Sequence, residues 1–203
     1  LKGENMIAHW NFDNVENGVV MDKSGKGHDG KIFGNVRFVD GVKGRAARFG
    51  SNDDYIDFGA PIIPEDDFTV CLWINCDDIE KQFFLGQYKY LDSSRLDLAV
   101  RNGCARIQID KIVDSPRKIQ KGKWHHLAYS RKGDKVDIYI DGELVKSSML
   151  PNKVTQKENL ILGKIFVPDR DSFRFVGAID ELMIFSKALP SERIKEIFGS
   201  KLK

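Results

Sequence analysis

The sequence predicts an all-β chain, a two-sheet antiparallel sandwich that ends in one short C-terminal helix. Three observations carry this expectation. Apolar residues alternate with a period of two in Phe68, Val70, Leu72 and Ile74, again in Val136, Ile138 and Ile140, and more loosely in Phe175, Ile179 and Leu182. That period places every second side chain on one face of a strand. Ser24-Gly25, Asn102-Gly103, Lys132-Gly133-Asp134 and Asp141-Gly142 break the runs at short intervals with residues that tolerate positive φ. Helical spacing shows only from Ser191 to Phe198, where Ile194, Ile197 and Phe198 fall on one side after a Pro190-Ser191 start.

The strongest local signal is Asp141-Gly142, set between Val136 to Ile140 and Glu143 to Val145, which reads as a hairpin with a tight two-residue turn. No strand and helix units alternate, so a doubly wound α/β fold and its nucleotide crevice are excluded. No long repeat is present, so a propeller or solenoid is excluded too. A sandwich can absorb the whole length of 203 residues as a single domain, 1–203.

Composition narrows the functional classes. Hydrophobic residues make up 41% of the chain, with 13 Phe, 3 Trp and 5 Tyr, enough apolar surface for a sizeable core. The 32 basic and 30 acidic side chains nearly cancel without long blocks of either sign, so no nucleic-acid partner is implied. The basic end from Lys195 to Lys203 reads as a solvated face. No apolar run reaches the ~18 residues of a membrane span, so no direct membrane insertion is expected. Leu1 to Asn5 lacks the charged and apolar regions of a secretory signal, which fits an excised or mature segment. Cys71, Cys76 and Cys104 are too few and oddly numbered for a disulfide framework, and the first two lack metal-site spacing.

Five stretches in order resemble the laminin-G-like jelly-roll family of the concanavalin A-like lectin and glucanase superfamily, and they cover almost the whole chain. His9-Trp10-Asn11-Phe12-Asp13 followed by Asp22 to Gly30 looks like its tryptophan strand and glycine-rich loop. Asp53-Asp54-Tyr55-Ile56 and Asp67 to Ile74 look like its next strands, and Gly122 to Ala128 with Asp137 to Gly142 like its central hairpin. Gly177 to Leu182 and Leu189 to Phe198 are similar to its last strand and terminal helix. The resemblance implies a jelly-roll sandwich, but the family hosts glycan-binding modules, adhesion domains and appendages of enzymes, so fold alone does not choose a function.

Asp13, Asp22 and Asp29, set against Asp180 near the far end, supply the hard oxygen ligands that calcium takes, and the turn from Ser24 to Gly30 can aim carbonyls inward. Ordinary turn aspartates account for the same residues. The resemblance implies a structural calcium ion that ties the N-terminal loop to the last strand, with Asp13, Asp22 and Asp180 as side-chain ligands and the carbonyls from Lys26 to His28 as helpers.

Catalytic readings fare poorly. His125 and His126 are adjacent in a strand and point to opposite faces, so they cannot converge on one zinc ion, and packing or hairpin hydrogen bonding explains them, as it does His9. Asp137 and Asp141 lie roughly 13 Å apart along a strand, beyond the ~5 to 9.5 Å that glycoside hydrolysis uses. The Glu-x-Asp-x-x-Glu run of laminarinase-like relatives is missing, and Arg106 to Asp110 lacks the histidine of the alginate-lyase run. No nucleophile elbow or phosphate loop is present. No enzymatic activity is expected.

Sugar recognition needs aromatic rings and planar donors. Gln87, Tyr88, Tyr90, Asp92 and Arg95 lie in one polar, aromatic loop, with Arg101 and Asn102 one strand later, and a second candidate runs from Phe166 through Arg170 and Asp171 to Arg174. Strand-edge packing of the tyrosines and solvated arginines remain alternatives. The expected function is a non-catalytic, lectin-like carbohydrate-binding module of a larger secreted or surface protein, monomeric and extracellular or cell-surface, with a glycan or polysaccharide as partner. A protein-interaction or adhesion module is one alternative, and a polysaccharide hydrolase or lyase with an atypical site is the other.

Overall fold

The computed structural model describes residues 5–87, 95–155, 157–166 and 173–200. Among these residues the alternating runs become strands that pair antiparallel throughout, in two sheets.

In chain order the strands are β1 (Met6–Trp10), β2 (Val15–Glu16), β3 (Val19–Val20), β4 (Gly30–Phe33), β5 (Arg37–Asp40), β6 (Arg45–Phe49), β7 (Tyr55–Asp57), β8 (Phe68–Cys76) and β9 (Lys81–Gln87). They continue as β10 (Leu96–Arg101), β11 (Cys104–Gln108), β12 (Ile112–Lys118), β13 (Trp124–Lys132), β14 (Lys135–Ile140), β15 (Glu143–Met149), β16 (Ile161–Leu162) and β17 (Gly177–Phe185), followed by helix α1 (Ser191–Gly199).

Sheet A runs β15-β14-β13-β8-β17, and β17 pairs beyond that with β6 along its first residues and with β1 along its last, while β5 closes the edge beside β6. Sheet B runs β12-β11-β10-β9-β16-β7-β4-β3-β2. Chain neighbours such as β7 and β8 lie in different sheets, the crossing pattern of a jelly roll.

The inner faces meet in one large core containing Trp10, Phe49, Phe58, Leu72, Phe84, Leu98, Tyr129, Ile138, Phe175 and Ile184. Burying each such side chain contributes about 1.5–3 kcal/mol, which is what orders the layers. Trp10 stacks on Phe58 at 3.9 Å between ring centroids and donates its indole N–H to the His28 carbonyl at 2.7 Å. The tryptophan strand thus fixes the glycine-rich loop.

The Asp141-Gly142 turn forms as expected, with φ of 54° and 78° joining β14 to β15. Positive φ at both central residues matches the right-handed twist of the flanking strands. Asp141 also accepts from the His126 N–H at 2.9 Å, pairs with His125 Nδ1 at 2.9 Å and meets Arg117, so the turn is anchored to β13 and β12.

Helix α1 packs on the outer face of sheet A, where Met6, Cys71, Ala128, Tyr139, Met183 and Phe185 form a second apolar layer with Ile194 and Ile197. This layer explains why all nine residues of β17 are buried. The three thiols are free: Cys71 lies beneath the helix, Cys76 in the large core, and Cys104 half-buried in β11.

Candidate functional site on the outer face of sheet B

The outer face of sheet B has no covering helix among the described residues. Strand register shows which side chains share it. Ile32 pairs with Ile56 and both turn inward, so Lys31, Phe33, Tyr55 and Asp57 turn outward. Farther along the sheet Asp97 lies opposite Gln108, and Ala99 lies opposite both Phe83 and Arg106.

At one end stands an aromatic and basic group. Phe33 and Tyr55 stack at 4.5 Å with planes 4° apart, and Phe166 meets Tyr55 edge-on at 5.2 Å. Phe166 is 48% exposed. The Lys31 ammonium lies 5.2 Å from the Phe33 centroid, and Lys164 lies 5.1 Å from that of Tyr55 and 4.7 Å from that of Phe166. Lys164 donates to the Asn52 carbonyl at 2.8 Å, and Arg174 bonds the Asn52 side chain. Asn52 and Arg174 line an open pocket of about 520 Å³ together with Asp78, Lys81 and Gln82.

In the middle, Lys164 to Phe166 and Phe173 with Arg174 form a short arm, in which Lys164 and Arg174 face each other as an isolated antiparallel bridge. Its Ile165 and Phe173 cover Phe83 and Ala99 in a small apolar cluster, and Lys81 lies 4.1 Å from the Phe173 centroid.

At the other end Asp97 is only 2% exposed and faces Arg95 Nε at 3.2 Å. Burial pushes its carboxyl up to about 6, against the pull of Arg95 and Arg106. Its Oδ1 accepts no hydrogen bond among the described residues. Arg106 itself grips Asp114 with two parallel bonds of 2.7 and 2.8 Å.

The sequence-selected residues distribute unevenly over this face. Arg95 sits on it, and Arg101 ends β10 at the rim, half-buried. Gln87 is buried, and its side-chain oxygen accepts from the N–H groups of Ile62 and Ile63 at 2.8 and 2.9 Å, so it fastens the neighbouring loop. Tyr88, Tyr90, Asp92, Arg170 and Asp171 lie outside the described residues. Phe166 and Arg174, the flanks of the second candidate loop, reach the aromatic end.

Sequence reasoning missed Phe33, Tyr55, Lys164, Asp97 and Arg106. The alternation Lys31-Ile32-Phe33 and Tyr55-Ile56-Asp57 was the available signal, but it does not say that these two strands are neighbours.

The aspartates proposed for calcium separate into two places. Asp22 accepts from the N–H groups of His9, Ser24 and His28 and from the Ser24 hydroxyl. Burial acts to raise its carboxyl, yet these bonds hold it below the usual range. Lys26 donates its N–H to Ser24 Oγ at 3.2 Å, and the His28 carbonyl accepts from Trp10.

Asp13 and Asp180 instead close on one loop, Gly41 to Arg45, from opposite ends of the chain. Asp13 accepts the Arg45 N–H at 2.8 Å, and Asp180 accepts those of Val42 and Lys43 at 2.8 and 3.0 Å. Gly44, at φ 68°, leaves no room for a Cβ beside Asp13. Asp180 is fully buried without an ion-paired base among the described residues. Burial, with Glu181 beside it, pushes its carboxyl up to about 7 against the N–H bonds. No set of three or more acidic, histidine or cysteine side chains converges as a metal cage among the described residues.

The histidines behave as strand geometry requires. His125 turns to Asp141 and the Gln120 N–H, while His126 is buried on the opposite face near Trp73 and Phe198. His9 pairs with Glu181 at 2.8 Å.

Two antiparallel sheets in a sandwich with one short C-terminal helix define a jelly-roll domain. The sequence pattern of the concanavalin A-like lectin/glucanases superfamily matches residues 49–195, well over half of the chain, and the chain belongs to that family. No curated protein matches the sequence.

Among solved structures the chain is similar to domain 4 of AbnA, a GH43 extracellular arabinanase from Geobacillus stearothermophilus, in complex with arabinotriose. That likeness has a TM-score of 0.77 at 23% identity, over 95% of this chain and 98% of that one. It is also similar to the binding domain of Paraclostridial Mosquitocidal Protein 1 (TM-score 0.74, 16% identity, 97% of this chain) and to the botulinum neurotoxin type G receptor binding domain (0.76, 15%, 98%). The chain spans about half of each toxin domain, 52% in both cases.

Proposed function

We propose that this chain is a non-catalytic carbohydrate-binding module of a larger secreted or surface protein, and that it takes its glycan on the outer face of sheet B. The observation that carries this reading is the contrast in cover: helix α1 packs on sheet A, whereas one end of sheet B carries the rings of Phe33, Tyr55 and Phe166 with Lys31 and Lys164 beside them. Domain 4 of the arabinanase, which matches over nearly its full length and is named with arabinotriose, supports a sugar as ligand.

Two arrangements support the absence of covalent chemistry. Asp137 is engaged by Lys135 and Ser147, and Asp141 by the turn, so neither stands as an acid or base beside a sugar. Binding of this kind is shallow and gains from a tethered partner or several copies.

The reading includes a structural calcium ion with Asp13 and Asp180 as side-chain ligands: they approach the same loop from remote parts of the chain, and Asp180 is buried without an ion-paired base among the described residues. Asp22 serves as the organiser of its own loop. When bound, the ion supplies positive charge that keeps Asp180 ionised and joins the N-terminal segment to β17, stabilising the native state by mass action.

A glycan array run with and without calcium tests the function. Retained glycan signals that weaken in Arg95→Ala are expected; an unchanged affinity would remove that end of the face from the site. A blank array, with a protein captured in pull-downs, favours an interaction module. Release of reducing sugar or unsaturated product from a polysaccharide panel overturns the non-catalytic reading. Saturating calcium is expected to raise Tm by about 5–10 °C, and Asp13→Asn to abolish that shift. No shift with calcium or chelator removes the ion.

A further inference from the structure

The geometry points to an acidic saccharide, one bearing carboxylate or sulfate groups, as the ligand of the aromatic end of sheet B. This inference rests on the glycan-binding reading and gives it a chemical class.

A neutral sugar stacks its apolar face on an open ring face. Here the ring faces are already engaged. One face of Phe33 and one of Tyr55 lie against each other, 4.5 Å apart and nearly parallel. Lys31 and Lys164 stand about 5 Å from the centroids of those same two rings, at 5.2 and 5.1 Å. The ring quadrupoles attract the ammonium groups and hold long, flexible side chains in place. Phe33 and Tyr55 therefore aim cations and do not offer a free platform.

Among the described residues the nearby carboxylates are turned to other partners. Lys31, Lys164 and Arg174 make no ion pair among the described residues. Asp57, the nearest carboxylate by register, is turned to the Gly59 N–H and to Asn159. Asp53, exposed beside Asp54, softens the field and closes no ion pair with these bases.

Lys164 and Arg174 also face each other directly across the arm and both bond Asn52. Like charges placed opposite each other cost stability. An anion between Lys164 and Arg174 would relieve that repulsion, and Arg174 supplies the planar fork suited to carboxylate or sulfate. The open pocket beside Asn52 is also lined by Asp77, paired with Arg48, and by Asp78, bonded to Gln82, so it suits a neutral neighbouring sugar next to the anionic one.

The test is an array that prints neutral, uronate-bearing and sulfated glycans side by side, followed by titration of the best ligand. The leading ligands are expected to be acidic. Carboxyl reduction or desulfation of the best one should weaken binding about tenfold, the size of one charge-assisted hydrogen bond, and added salt should weaken the acidic ligand more than its neutralised form.

Lys164→Met and Tyr55→Leu should each erase the preference, and Lys146→Met on sheet A should leave it intact. The two variants act through different side chains, and circular dichroism with thermal melting separates misfolding from lost binding. Leading ligands that are neutral, or a preference that survives both substitutions, overturn this inference and leave glycan binding standing. A blank array sinks the glycan reading itself.

Discussion

The two outer faces of the sandwich begin from the same strand alternation and end differently. On sheet A the outward residues are apolar, Cys71, Ala128, Tyr139 and Met183, and helix α1 covers them with Ile194 and Ile197. On sheet B the outward residues include Lys31, Phe33, Tyr55, Asp97 and Arg106, and among the described residues Ile165 and Phe173 of the arm cover Phe83 and Ala99. A face that must be hidden holds the fold together; a face that mixes rings with charges is the one to which the proposed binding is assigned. The second layer of apolar residues on one sheet thus decides which outer face the helix covers.

The largest expected effect lies on the sealed side. Ile194 is fully buried beneath the sheet, so Ile194→Ala should cost about 2–5 kcal/mol, read as a lower midpoint in urea unfolding. If it costs no more than a surface change, the helix is not a structural lid and the contrast between the faces fails.

Next in size are two buried titrations of opposite sign. On sheet A, burial depresses His126 to about 4, with Asp141 pulling weakly the other way. Its neutral form is favoured in the fold, so the stability it contributes is present above its unfolded pKa near 6.5 and is lost as pH falls toward 4, about 3 kcal/mol in all. On sheet B, burial raises Asp97 to about 6. Its contribution is present below about 4 and is lost as pH rises through 6, again by about 3 kcal/mol.

The two terms offset each other in the native chain, and substitution uncovers each. Denaturant unfolding across pH should show His126→Leu losing less stability than wild type on acidification, and Asp97→Asn losing more. Parallel curves for either variant would show that the group does not titrate with folding.

The smallest expected effect sharpens the contrast from the open side. Phe166 is the most exposed aromatic of the aromatic end, so Phe166→Ala should leave stability within about 0.5 kcal/mol while it weakens glycan binding in titration. A stability loss of the size seen at Ile194 would mean that the open face is also structural.

Much of the fold was legible because alternation and turn chemistry are local. Phe68 to Ile74, the Asp141-Gly142 hairpin and the terminal helix all stand where the residue pattern puts them. The candidate site was less legible because it depends on pairing between remote strands. Gly30–Phe33 lies beside Tyr55–Asp57 only because the intervening β5–β6 hairpin leaves for the other sheet. Nothing in either segment alone announces the Phe33–Tyr55 stack.

Gln87 illustrates the opposite error of locality. Its polar neighbours mark a loop, but its own side chain faces two buried backbone N–H groups that only the folded chain brings near. Asp22 differs from Asp13 for a similar reason: its four donors lie within its own loop and the adjacent strand, whereas those of Asp13 and Asp180 come from a distant loop that the sequence does not connect to them.

The placement of the free cysteines has a practical consequence. Cys104 is partly accessible on the open side, Cys71 is shut beneath the helix with its thiol pushed up to about 12 by burial, and Cys76 is enclosed between the sheets. Each layer therefore carries its own intrinsic chemical reporter. The order in which an alkylating reagent modifies them, followed by mass spectrometry, would trace which part of the molecule loosens first without any label being introduced.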